Sequence, residues 1–157
     1  MKLASAMLAC ISIVNAQEMG IFRTLSENKF ETLQDLPKCI TVSVQSGDPA
    51  KGASIVLFKA TPGCTIPWHW HTATENVMMV TGRAKVEMRT DFEQKEVVKN
   101  IEIGSGGFVR LPGKHRHQFT CTTACIAFVS SDAAFDIHYV DISGAPIPTS
   151  VAVKTAQ

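Results

Sequence analysis

Four of the five histidines stand in two tight groups, His69 with His71 and His115 with His117, and a carboxylate, Glu75, follows the first group by four residues. In an extended chain, residues two apart share one face with Cα atoms about 6.6 to 6.8 Å apart, so His69 and His71 can present both imidazoles to one ion. Thr72-Ala73-Thr74 suits a turn, after which Glu75 opens the next run and can return a carboxylate to the same point. His117 follows Pro112-Gly113 at the start of a later strand and can supply a third imidazole from across a barrel. Three neutral imidazoles and one carboxylate, with one or two positions left for water or substrate, suit one divalent transition metal such as Fe, Mn, Zn, Ni or Co. Taken singly, any of these histidines beside Trp68 and Trp70 reads as a packed core residue; the set points to a metal.

The elements that must hold this set are short and extended. Alternating runs recur at Ile40 to Val44, Ser54 to Lys59, Asn76 to Val80, Ala84 to Met88, Gly107 to Leu111, Gln118 to Cys121, Ile126 to Ser130 and Phe135 to Val140. Turn residues separate them, among them Thr61-Pro62-Gly63, Thr81-Gly82, Gly104 to Gly107 and Pro112-Gly113. Regular strands with turns between them indicate a single all-β sandwich or barrel. The charged stretch Thr90 to Lys99 fits one short helix or an exposed hairpin, and Leu25 to Leu33 an outer strand or a turn of helix.

Alternation from the ligands sorts their neighbours. If Glu75 faces inward, so do Val77 and Met79; if His117 does, so do His115, Phe119 and Cys121. The resulting ligand pocket is mainly apolar and favours a small, partly apolar molecule over a sugar or a polyanion. His115 is the candidate general acid or base, unless it sits at the barrel mouth in solvent. Tyr139 and His138 point oppositely, so at most one faces the pocket, while Trp68 and Trp70 have the parity of outward packing residues. Cys121 and Cys125 flank a three-residue connection, where Cα atoms about 5.5 Å apart allow a disulfide. The rival reading keeps Cys121 as a redox-sensitive thiol near the metal. Cys39 and Cys64 read as buried small apolar residues, with their pairing left open.

The chain has 157 residues, 45% of them hydrophobic and 18% charged, which excludes a disordered or coiled-coil protein. Its 15 basic residues against 14 acidic ones leave no excess to bind a phosphate backbone, so nucleic acid is not an expected partner. Lys2, the uncharged apolar run Leu3 to Val14, and Ala16 read as a secretory signal peptide (residues 1–16) cut after Ala16. The mature domain would then be residues 17–157, secreted or periplasmic and without stable membrane insertion. It would keep four cysteines in a compartment that permits disulfides. Phosphate loops, Gly-x-Ser-x-Gly elbows and Cys-x-x-Cys motifs are absent from the sequence.

Gly63-x5-His69-x-His71-x3-Glu75-x6-Gly82 resembles the first motif of the cupin superfamily at every fixed position. The second motif, Gly106-x5-Pro112 with His117, departs twice: Lys114 occupies the usual glycine site, with Gly113 one place early, and Cys121 replaces a late asparagine. Segments such as Pro67 to His71 and Phe135 to Val140 are similar to those of small secreted single-cupin proteins. The resemblance implies a jelly-roll β-barrel, a metal at its centre held by His69, His71, Glu75 and His117, and dimerisation through outer strands. It does not imply one reaction. A dioxygenase-like oxidoreductase or an isomerase acting on a small organic molecule, and a non-catalytic sensor or buffer, all remain open.

Overall fold

A computed structural model describes residues 20–90 and 97–154; the expected leader lies outside the described residues. The strands, in order, are β1 (Ile40–Gly47), β2 (Ser54–Ala60), β3 (Thr65–Trp70), β4 (Glu75–Thr81), β5 (Arg83–Thr90), β6 (Val97–Gly104), β7 (Phe108–Leu111), β8 (His117–Cys121), β9 (Cys125–Ser131) and β10 (His138–Tyr139). They form two five-stranded antiparallel sheets, ordered β1-β2-β9-β4-β7 and β10-β3-β8-β5-β6. This is the all-β sandwich expected from the spacing of short runs and turns, in the jelly-roll form that the resemblance implies. A single short helix, α1 (Thr149–Ala152), follows among the described residues, and no helix there is long and apolar enough to cross a membrane.

Period-two patterning explains the layers. Along β4, Val77 and Met79 are buried while Met78 and Val80 are exposed, and along β8 His117, Phe119 and Cys121 are buried between half-buried neighbours. Ala84, Val86, Leu111, Phe119 and Ala127 meet between the sheets. Each fully buried Val or Leu there contributes about 1.5–3 kcal/mol by leaving water. Of the charged stretch Thr90 to Lys99, Thr90 ends β5 opposite Val97 of β6, the pairing that a hairpin needs, while positions 91–96 lie outside the described residues. Leu25–Glu27 forms one 3-10 turn, and Glu31 then bridges Val42 at the edge of β1, so the two readings of that region both hold in part.

Two cysteine pairs stand at disulfide distance. Cys121 and Cys125, at the facing ends of β8 and β9, have Cα atoms 5.9 Å apart, the separation that the expected bridge needs. Cys39 and Cys64 are also bonded, with Cα atoms 5.8 Å apart. The pairing joins the chain entering β1 to the turn before β3, a contact between residues 25 apart that local pattern does not reveal.

Candidate metal centre

The β3–β8 pairing creates the site. His69 lies directly opposite His117, the first residue of β8, just past an irregularity in register that begins at Ile66. His71 follows the end of β3, and Glu75 opens β4, held between Leu111 of β7 and Ser131 of β9. The His69 ring centroid is 4.9 Å from that of His71 and 4.1 Å from that of His117. One ring nitrogen from each of the three histidines falls within 4.8 Å of the others. Glu75 joins them, its Oε2 at 3.5 Å from His71 Nε2 and 3.7 Å from His117 Nε2.

Hydrogen bonds at the far side of each ring set the tautomers. His69 Nδ1 donates to the Pro67 carbonyl at 2.6 Å, His117 Nδ1 to the His115 carbonyl at 2.9 Å, and His71 Nδ1 to the Asp136 carbonyl. A carbonyl oxygen can only accept, so each ring carries a hydrogen on Nδ1, and in a neutral ring so oriented Nε2 is the atom with the free lone pair. Burial, reinforced by the neighbouring imidazoles, holds the His69 pKa well below the usual histidine range and lowers that of His117 to about 3. Both rings are therefore neutral near pH 7. The Nε2 atoms of His71 and His117 are buried without a hydrogen-bond partner, and they face a carboxylate oxygen that is also an acceptor. Buried polar atoms left this way cost about 1–3 kcal/mol each. A cation among them satisfies all at once, and neutral imidazoles oriented through Nδ1 are the ligands a divalent transition ion takes.

Above the cluster opens a cavity of about 130 Å³. Its walls are apolar: Leu33, Leu36, Ile40, Val42, Phe58, Ile66, Val77, Leu111, Phe119, Val129, Phe135 and Ile137 surround His69, His71, Glu75 and His117. Val77 and Phe119 line it as expected from alternation. Met79 and Cys121 do not; they point the same way but sit deeper in the core between the sheets. His115 does not line it either. Its side chain is exposed, because β8 begins only at His117 and the period of two does not extend back through the preceding turn.

Several site residues carried no signature of their own. Leu33 and Leu36 come from the segment before β1, and Phe135 packs 5.2 Å from the His71 ring. Tyr139 is the inward member of its pair. It is buried with its ring 5.9 Å from that of His69, and its hydroxyl donates to the Asp35 carbonyl at 2.8 Å. His138 is exposed and stacks on Trp70 at 3.9 Å, while the Arg89 guanidinium lies 5.0 Å over Trp68, so both tryptophans pack outside the pocket.

No family model and no curated protein sequence matches the chain. Solved structures do. The polyketide cyclase RemF from Streptomyces resistomycificus is similar with a TM-score of 0.63 at 18% identity, over 86% of this chain and 99% of its own. KdgF from Halomonas sp. gives 0.57 at 15% identity, over 73% and 94%. The cupin domain of Schizosaccharomyces pombe Cnp3 gives 0.57 at 7% identity, over 72% and 74%. The fold is that of the cupins. Within this cupin fold, Gly82 turns with φ +86° where a Cβ would stand 2.0 Å from the Ala124 carbonyl oxygen, which explains the glycine ending the first motif. At the second motif, Lys114 itself takes the left-handed conformation, φ 66°. Gly113 has another role: a Cβ there would lie 2.4 Å from the Thr72 carbonyl oxygen, beside His71.

Proposed function

We propose that the chain is a secreted or periplasmic protein whose mature domain, residues 17–157, holds one divalent transition metal through His69, His71, Glu75 and His117 and takes a small organic molecule in the adjoining cavity. The observation that carries this reading is the pair of partnerless, buried Nε2 atoms on His71 and His117, aimed with the Glu75 carboxylate at one point. The leader-like N-terminus and the two cysteine pairs support an oxidising compartment. When bound, the ion would polarise an oxygen of the ligand as a Lewis acid, and Fe would add redox chemistry. The chain's own residues contribute the rest: three oriented imidazoles, one carboxylate, and apolar walls that exclude water.

An isomerase would need a group to move a proton. Among the described residues lining the cavity, the titratable side chains are the four proposed ligands and Asp136, whose carboxylate is already bonded to Thr72 and His138. That observation favours an oxidoreductase of the dioxygenase kind, or a non-catalytic binder, over proton transfer by a free base. Metal analysis of the protein from its native compartment tests the reading. About one equivalent of a transition metal, and a higher melting temperature on adding Mn, Fe, Ni or Zn to stripped protein, are expected. Absence of both would remove the ligand assignment. Oxygen consumption with a candidate substrate would then separate enzyme from binder.

A further inference from the structure

Charge and shape in the cavity restrict what can enter it further than "small organic molecule". Apart from the ligand cluster, the lining is almost wholly hydrocarbon, and among the described residues that form it there is no Lys and no Arg. Glu75 supplies a negative charge at the cluster, and Asp136 is committed to Thr72 and His138. The volume, about 130 Å³, is close to that of an engineered apolar cavity of about 150 Å³ that holds benzene.

We infer that the cavity takes a compact apolar molecule with a single ionisable oxygen head, which points at His69, His71, Glu75 and His117 while a ring-sized body of hydrocarbon fills the space between Phe58, Phe119 and Ile137. This rests on the proposed metal site. A divalent ion with three neutral imidazoles and one carboxylate leaves one net positive charge, which one ionised oxygen balances. A second charge on the ligand would lie among hydrocarbon with no cation to pair with, and such burial is strongly unfavourable. A molecule with no head would leave the coordination position and the lone pairs unanswered. Without the ion, the cluster offers only acceptors, so a neutral hydroxyl can still donate to it while an anion meets the Glu75 carboxylate.

Calorimetric titration of the full chain, loaded with Zn(II) and separately metal-free, tests this with two matched pairs of probes. Butyrate and succinate share a head and differ by a second carboxylate; phenol and toluene share a ring and differ by the head. In the loaded protein butyrate should bind about tenfold or more tightly than succinate, and phenol about tenfold or more tightly than toluene. Metal removal should abolish butyrate binding and leave phenol ahead of toluene. Ile137→Arg, at a half-buried wall position where a long side chain can reach solvent, should narrow the gap between succinate and butyrate. Succinate binding as tightly as butyrate in loaded wild-type protein, or toluene as tightly as phenol, would overturn the inference. Protein that takes up no Zn(II) yet still prefers phenol to toluene would instead remove the metal reading and leave the single-headed ligand standing.

Discussion

The backbone carbonyl of Asp136 accepts the Nδ1–H of His71 across 65 residues of chain. His69 and His117 are each oriented by the carbonyl two residues before them, so their ring directions are local properties of β3 and of the approach to β8. His71 has no such local partner. Its acceptor is held by its own side chain, which takes hydrogen bonds from Thr72 N–H at 2.8 Å, Thr72 Oγ1 at 2.5 Å and His138 Nε2 at 2.9 Å. Burial acts to raise the Asp136 carboxyl, but these hydrogen bonds outweigh it and hold its pKa below the usual carboxylate value.

Loosening that clamp should therefore be felt at the metal through one ligand. Asp136→Ala keeps the carbonyl but frees the segment, and a loss of about tenfold in metal affinity is expected, the low end for groups that orient metal ligands. Chelator competition measures it. In a His71→Ala background the same change should cost nothing further, and an equal loss in both backgrounds would show that Asp136 acts on stability alone.

The ligand set has its own hierarchy. His69→Ala and His117→Ala should abolish stoichiometric metal retention, whereas His115→Ala, at an exposed position outside the cavity, should leave it intact. Glu75→Gln keeps the shape and removes the charge, so retention should weaken at a similar melting temperature for the metal-free protein. Metal content after desalting is the readout, and equal loss for His115 would mean that the shell is drawn wrongly.

Stability of the metal-free protein should depend on pH in a defined direction. His69 and His117 have folded-state pKa values depressed below the ordinary histidine value, that of His117 to about 3. Between about pH 6.5 and pH 3 the unfolded chain thus binds more protons than the folded one. Stability is fully present above the unfolded pKa and falls as pH drops through this window, by up to about 1.4 kcal/mol per pH unit for His117, with His69 acting in the same direction. Urea unfolding at pH 7, 6, 5 and 4 checks the slope; a flat profile would contradict the neutral, buried imidazoles.

The two disulfides should contribute unequally. Loop closure in the unfolded chain gives about 3.5 kcal/mol for the Cys39–Cys64 bridge, separated by 25 residues, and about 2 kcal/mol for Cys121–Cys125, separated by 4. Paired alanine variants measured by urea unfolding should follow that order, with an extra cavity cost for the fully buried Cys121.

What the sequence reveals about this site depends on how far apart its causes lie. His69 and His71 are legible because the two-residue period carries one position past the end of β3 at Trp70, and Val77 and Phe119 because the same period runs on from Glu75 and His117. His115 is not, since a turn resets the period before β8 begins. The choice between Tyr139 and His138 rests on which side β3 presents to β10, and the Cys39–Cys64 bond on where two distant turns meet. The wall from Leu33 and Leu36 likewise has no local period; its inward direction comes from packing against strands later in the chain.

The departure at the second motif gives a last test, because the shift of glycine from position 114 to position 113 separates two demands. Lys114 adopts φ 66°, a conformation that costs a side-chain-bearing residue about 1–2 kcal/mol, while its N–H donates to the His71 carbonyl at 2.7 Å. Lys114→Gly relieves that strain but gains chain entropy in the unfolded state, leaving a net stabilisation of about 0.5–1 kcal/mol with that hydrogen bond intact. Gly113→Ala does the opposite, since its Cβ would stand 2.4 Å from the Thr72 carbonyl oxygen and must push apart two backbones next to a ligand. A loss of about 1–3 kcal/mol is expected, together with weaker metal retention because the displaced strand end carries His71. If Gly113→Ala were tolerated while Lys114→Gly destabilised, the close approach of positions 72 and 113 would not be what holds that ligand in place.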